Sequence, residues 1–328
     1  MIKRAFIWGM LVLGLATAYM YWYAHTSLPL KQTPLEFDLK PGSNLVTITS
    51  RMQAAGVMND GLRFRVLARI MGKAGKIKAG FYTLNQQITP LQLLTKLTAG
   101  EVSLREIVFI EGWTFAQMRD ALNAHPLVKH ETLGMSEQQV LQLLNIPLNH
   151  AEGWFFPSTY YIDAGSSDVS ILRRAYETMQ MHLQHEWAGR DKNLPYATPA
   201  DALTMASIIE KETGVKDERP LIAAVFINRL RLGMRLQTDP TVIYGIGKNY
   251  DGNIRKRDLL ADTPYNTYTR AGLPPTAIAM PGLDSIKAAL HPAHSDIIYF
   301  VAKGDGTHYF SNNLVEHNRA VARYQKNG

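Results

Sequence analysis

Residues 5–24 run without a single charged side chain. At about 1.5 Å of rise per residue, a helix of that length spans roughly 30 Å, one hydrocarbon thickness. Lys3 and Arg4 precede the run, and positive residues at a short end hold it in the cytoplasm. Tyr19, Tyr21, Trp22 and Tyr23 gather at the far end, where an interfacial aromatic belt sits. A cleaved signal peptide is the competing reading, because Ala16-Thr17-Ala18 imitates the small-residue cleavage pattern. The bulky aromatics that carry the apolar run past that point favour an uncleaved anchor. The expected order is a cytoplasmic tail at 1–4, a transmembrane anchor at 5–24 and everything beyond His25 outside the cytoplasm.

With 328 residues, 46% of them hydrophobic, the chain has material for two or three domains and a proper core. Its formal charge of +7 favours anionic surfaces. The cations are scattered, however, and the densest small group, Arg255-Lys256-Arg257, reads better as a solvated loop than as a nucleic-acid site. The absence of cysteine excludes disulfides, thiol nucleophiles and thiolate metal sites.

Residues 25–35 hold two prolines and read as a juxtamembrane linker. Strand and helix signals then mix over 36–110. Strands are expected at 37–39 and 79–84, a turn at 41–43, and helices at 45–55, 60–70 and 89–98. A β-rich run at 105–110 is suited to pair with the strand at 79–84. From Glu111 the pattern turns helical, at 115–124, 137–144 and 170–187, around an aromatic loop at 152–161. Trp154, Phe155 and Phe156 in that loop suit either sugar stacking or packing. Helices at 218–232 and 285–290 and strands at 297–302 and 308–310 follow, separated by long irregular loops between 236 and 282. Such loops in a compact domain are usually functional.

One helix carries the candidate chemistry. Thr198-Pro199 opens it, with Asp201 three residues after Thr198 in the manner of a capping box, and Gly214 is a natural breaker. Near its end stand Glu210 and Glu212. The positions three, four and seven before Glu212 are Ile209, Ile208 and Met205, so its side of the helix is apolar. A carboxyl group there is partly desolvated, which favours the protonated form that a general acid needs. Glu210 points about 200° away and reads as an ordinary helix-end residue. On local pattern alone, solvated or salt-bridged glutamates remain the plainer reading.

Other chemistries lack their parts. His291 and His294 have Pro292 between them and no third ligand. No nucleophile-elbow motif is present, and Ser207 sits inside a helix where its hydroxyl bonds a backbone carbonyl. Gly245-Ile246-Gly247 has no phosphate-loop context. Carboxylate acid–base chemistry is what remains.

The segments 207–213 (Ser-Ile-Ile-Glu-Lys-Glu-Thr), 225–230 (Val-Phe-Ile-Asn-Arg-Leu), 234–245 (Met-Arg-Leu-Gln-Thr-Asp-Pro-Thr-Val-Ile-Tyr-Gly), 265–268, 272–275 and 279–282 together resemble the MltG (YceG-like) family of endolytic murein lytic transglycosylases. The resemblance extends over nearly the whole chain, including the anchor and the 152–157 segment. It implies an α+β fold: a single transmembrane helix, a small LysM-like module at 36–110 and a catalytic domain at 111–328. Within that domain 111–195 is mainly helical and 196–328 forms the active-site core.

It further implies cleavage of the bond between N-acetylmuramic acid and N-acetylglucosamine to 1,6-anhydro ends, with Glu212 as the catalytic residue and no cofactor or metal. Gln237, Thr238, Tyr244, Asn266 and Tyr268 are the candidate sugar-binding or orienting groups. Asp239, Glu218 and Glu152 are the candidates for a second carboxylate. The implied partners are peptidoglycan strands, the membrane and peptidoglycan synthases, at a bacterial inner membrane with the catalytic domain periplasmic. A lysozyme-like hydrolase and a non-catalytic wall-binding protein are the competing functions.

Overall fold

The computed structural model describes residues 2–40, 42–103, 105–163 and 165–325; of the turn expected at 41–43, Pro41 lies outside them. The chain divides into two compact units, Met1–Glu106 with Tyr161–Ser166, and Ile107–Tyr160 with Ser167–Gly328.

The first unit opens with α1 (Ile2–His25). Its stretch Phe6–His25, with a mean hydropathy of 1.3, is long and apolar enough to cross a membrane. Trp8, Leu13 and Leu15 stand 69%, 67% and 69% exposed, so protein leaves their surface uncovered, as suits an anchor or a signal sequence. In the last turn this changes, and Tyr23 and Ala24 are buried in the unit's own core. β1 (Leu35–Leu39), α2 (Leu45–Ala54), α3 (Gly61–Ile70), β2 (Gly80–Leu84) and α4 (Pro90–Ala99) complete the unit's main elements. β1 and β2 are antiparallel, pairing Leu35 with Leu84, Phe37 with Tyr82 and Leu39 with Gly80. Strand alternation turns Leu35, Phe37 and Leu39 inward, onto a core with Met52, Phe64, Leu93 and Leu97. Thr89 and Gln92 cap α4 reciprocally, and Gly100 closes it at φ 76°, where a side chain would be strained.

β3 (Arg105–Val108) pairs with β4 (Thr159–Ile162) and not with β2. The expected partner is wrong because the aromatic loop at 152–161 ends in a strand, with Tyr160 and Ile162 facing inward. The second unit contains α5 (Phe115–Ala124), α6 (Glu137–Leu143) and α7 (Asp168–Gly189), then α8 (Pro199–Glu212) and α9 (Arg219–Arg231). α10 (Asp239–Ile246), α11 (Lys256–Leu260), α12 (Leu283–Leu290), β5 (Tyr299–Ala302), β6 (His308–Ser311) and α13 (Leu314–Tyr324) follow. α10, α11 and α13 replace what the sequence reads as loop or leaves unassigned.

α8 lies at the centre. Every residue from Ala202 to Ile209 is buried, so this helix is not amphipathic; helices on several sides cover it, as a helix apolar all round requires. Its core neighbours include Ile222 and Phe226 of α9 and Ile286 and Leu290 of α12. The Thr198–Asp201 capping box is present. Ser207 donates to the Thr204 carbonyl at 2.7 Å and accepts from the Ile278 amide at 2.9 Å. Thr213, at φ −144°, turns the chain out of the helix, one residue before Gly214.

Candidate active site

Glu212 is the last residue of α8, where the carbonyl end of the helix dipole disfavours a negative charge. Burial acts in the same direction and dominates, pushing the carboxyl up to about 7. A hydrogen bond from the Thr238 hydroxyl to Oε1 opposes that shift, Asp239 reinforces it, and His308 and Arg229 moderate it. The group is therefore poised between its two protonation states near neutral pH, as acid followed by base demands.

Thr238 is itself fixed. It is buried, its amide donates to the Thr267 hydroxyl at 3.1 Å, and its carbonyl accepts from Thr241 at 2.8 Å. The preceding Gln237 has φ 49°, a left-handed conformation that costs a non-glycine residue energy and recurs at functional sites. Its amide is held by the Thr267 carbonyl at 3.1 Å. Asp239 opens α10 next to these residues, and accepts from the Tyr268 hydroxyl at 2.6 Å. Burial and this carboxylate both keep the Tyr268 hydroxyl protonated.

These groups line a cavity of about 420 Å³ together with Arg229, Phe300, His308, His317 and the end of α13. Arg229 is buried and donates to the carbonyls of Ile298 and Leu236 at 2.8 and 2.7 Å, with Tyr299 under its guanidinium at 5.4 Å. His308 is locked by Glu218, which accepts from its backbone amide at 2.8 Å and contacts Nδ1 at 2.7 Å. His317 stacks on Tyr299 at 4.9 Å, and its Nδ1 is buried without a hydrogen-bond partner.

Glu212, Gln237, Thr238 and Tyr268 thus share one cavity, whereas Tyr244 and Asn266 do not line it. The Tyr244 hydroxyl donates to Glu152 at 3.1 Å. Glu152 also accepts from the Phe115 amide at 3.0 Å at the start of α5, and burial pushes it up to about 7. Asn266 is fully engaged: its Nδ2 donates to the carbonyls of Asp258, Leu259 and Ala261, and its Oδ1 accepts from the Tyr268 amide. Its part is to shape the loop that carries Tyr268. Asn266→Ala is expected to cost about 1–3 kcal/mol by removing the acceptor of the Tyr268 amide and the donor to three partly buried carbonyls, read as a lower melting temperature. Of the aromatic loop, Phe155 is buried between Phe115 and Tyr176, and Trp154 and Phe156 pack on the core.

Arg229, His308 and His317 escape a reading by motif chemistry. Arg229 leaves a signal, as a charged residue in the apolar face of α9. His317 depends on α13, whose start is marked by Asn313 accepting from the Glu316 amide at 2.9 Å.

Glu210, by contrast, faces away from the cavity's lining. Its side chain is buried, paired with Arg219 at 3.2 Å, and accepts from the Gly282 amide at 2.9 Å and the Ser285 hydroxyl at 2.7 Å. It is an internal tie between α8, α9 and α12 rather than an exposed helix end.

The profile of the YceG-like family matches residues 37–323. An endolytic murein transglycosylase of Bacillus subtilis (strain 168) is 32% identical over 311 residues, covering 89% of this chain and 85% of that protein. A protein of the same name from Streptococcus pneumoniae serotype 2 is 31% identical over 86% of this chain, which matches 57% of the pneumococcal protein's length. The crystal structure of a yceG-like protein from Listeria monocytogenes superposes with a TM-score of 0.57 at 29% identity, covering 87% of this chain and 98% of that one.

Proposed function

The chain belongs to the YceG-like family, and from that premise we propose that it is a membrane-anchored endolytic peptidoglycan lytic transglycosylase with Glu212 as its catalytic residue. The observation that carries this reading is a carboxyl raised to about 7 at the wall of a cavity, with the neutral hydrogen-bonding groups Gln237, Thr238 and Tyr268 beside it. Such groups suit a neutral, oxygen-rich ligand.

Protonated Glu212 donates to the glycosidic oxygen between N-acetylmuramic acid and N-acetylglucosamine, and oxocarbenium-like charge builds at the anomeric carbon. The ionised carboxylate then takes a proton from the muramoyl 6-hydroxyl. That oxygen closes onto the anomeric carbon, giving a 1,6-anhydromuramoyl end with no water consumed. Thr238 holds the carboxylate oxygen through both steps, and Arg229 supplies positive potential when it is ionised. Nothing in the cycle calls for a metal or cofactor.

In this reading α1 is an uncleaved anchor in a bacterial inner membrane, with its N-terminus in the cytoplasm and the catalytic domain in the periplasm. The LysM-like module at 36–110 follows the anchor in the chain. The strands cut are nascent ones, with peptidoglycan synthases as the candidate partners.

The hydrolytic alternative draws on Asp239, a carboxylate lining the same cavity that could activate water. Mass spectrometry of digested, uncrosslinked glycan strands separates the two. Anhydro ends, lighter by one water, are the expected product; reducing muramic acid ends alone would reject the proposal.

A further inference from the structure

Helix α3 has two apolar faces, and the protein's interior uses one of them. Phe64, Leu67 and Ala68 are buried in the core of the first unit. Leu62, Val66 and Ile70 recur at intervals of four, which makes a second stripe on the same helix. Leu62 is 56% and Ile70 67% exposed, and Met71, just past the helix end, is 45% exposed. Arg63 and Arg69 are exposed on this helix as well, Arg63 lying 3.1 Å from the carboxylate of Asp60, the residue that caps the helix. From residue 61 to residue 80 the chain has three arginines and three lysines but no aspartate or glutamate.

The position of this helix within its unit identifies what would cover it. The Arg63 guanidinium lies 5.7 Å from the ring centroid of Tyr19, one of the aromatic residues that close the apolar run of α1. One turn later, Tyr23 and Ala24 of α1 are buried in the same core that holds Phe64. α3 therefore begins at the level where α1 passes from exposed apolar surface to packed protein. An exposed apolar stripe with arginines on the same helix, at that level, has the composition of a helix that lies in a membrane interface. An acid-free cationic segment complements anionic headgroups.

We propose that the outward face of α3 rests on the anionic surface of the bilayer that α1 enters. Leu62, Val66 and Ile70 reach the boundary between headgroups and acyl chains, and Arg63 and Arg69 meet lipid phosphates. The proposal rests on reading α1 as an anchor. It gives the first unit a second attachment to the membrane besides that helix.

The absence of cysteine makes the test direct. The full chain is reconstituted in phosphatidylglycerol-containing nanodiscs, with one nitroxide-labelled cysteine at a time, Val12→Cys in α1 or Ile70→Cys in α3. Relaxation by oxygen is compared with relaxation by a water-soluble nickel chelate. The expected result is a label at 12 shielded deep in the bilayer and a label at 70 shielded at shallow depth. Reversing Arg63 and Arg69 to glutamate should raise nickel accessibility at 70 at least about threefold. A shielded label at 12 with a freely nickel-accessible label at 70 overturns the proposal while the anchor stands. Shielding at 70 that ignores the charge reversal overturns the role given to the arginines. A label at 12 open to nickel overturns the anchor reading, and the proposal with it.

Discussion

Replacing Glu212 by glutamine is expected to lower glycan cleavage by about 10²–10⁴-fold or more, the range for loss of a general acid–base group. In the proposed cycle one carboxyl serves both proton transfers, so its loss removes both. Release of anhydro ends by the purified variant measures this; retained cleavage would reject Glu212 as the acid. The wild-type rate should fall as pH rises through about 7, because burial raises the carboxyl to that value and the acid form is the one that starts the reaction.

Stability gives a second readout with a definite sign. A carboxyl raised above its unfolded value contributes stability that is present below about 4.5 and lost as pH rises through about 7. Glutamine cannot ionise and escapes that loss. Its melting temperature relative to wild type should therefore be higher at pH 8 than at pH 5, and a large drop at pH 8 would contradict this. Glu152 is raised to about 7 as well, but it is present in both proteins and cancels in the comparison.

Two residues earlier the expectation reverses. Glu210→Ala should cost roughly 3 kcal/mol, because it removes the nearest partner of a buried arginine. Arg219, with 5% of its side chain exposed, would keep Asp284 at 3.5 Å and Glu111 at 3.8 Å as its nearest carboxylates. The Gly282 amide and Ser285 hydroxyl would lose their acceptor as well. At about 2–4 °C per kcal/mol, the melting temperature should drop by roughly 10 °C, and an unchanged value would refute the structural assignment. Glu210→Gln keeps an acceptor and should cost less. Cleavage per folded molecule at low temperature should survive in both variants, which separates this glutamate from its neighbour.

The contrast between these two glutamates shows what a sequence can and cannot say. Periodicity favoured Glu212 because Ile209, Ile208 and Met205 lie along its side, and those residues are buried. The same reasoning places Glu210 at a helix surface, since a single helix carries no record of the helices that will surround it. α8 is buried from Ala202 to Ile209, and its Glu210 carboxyl is held by groups 9 to 75 residues away. Asn266 misled for a similar reason: an amide in a polar loop looks available until its carbonyl partners are known. α10 was legible in principle, because Asp239-Pro240 is a helix start, but the surrounding turn residues masked it. The capping boxes and the alternation in β1 were plain, since each is settled by residues a few positions apart.

The cavity draws its lining from residue 212 to residue 325; α13 supplies His317 and Val321, and Gln325 follows just past its end. A ribosome adds that helix more than a hundred residues after Glu212. A chain whose synthesis stops short of α13 therefore carries Glu212 without this wall beside it. On the proposed function, the site is complete only after the C-terminal helix has docked.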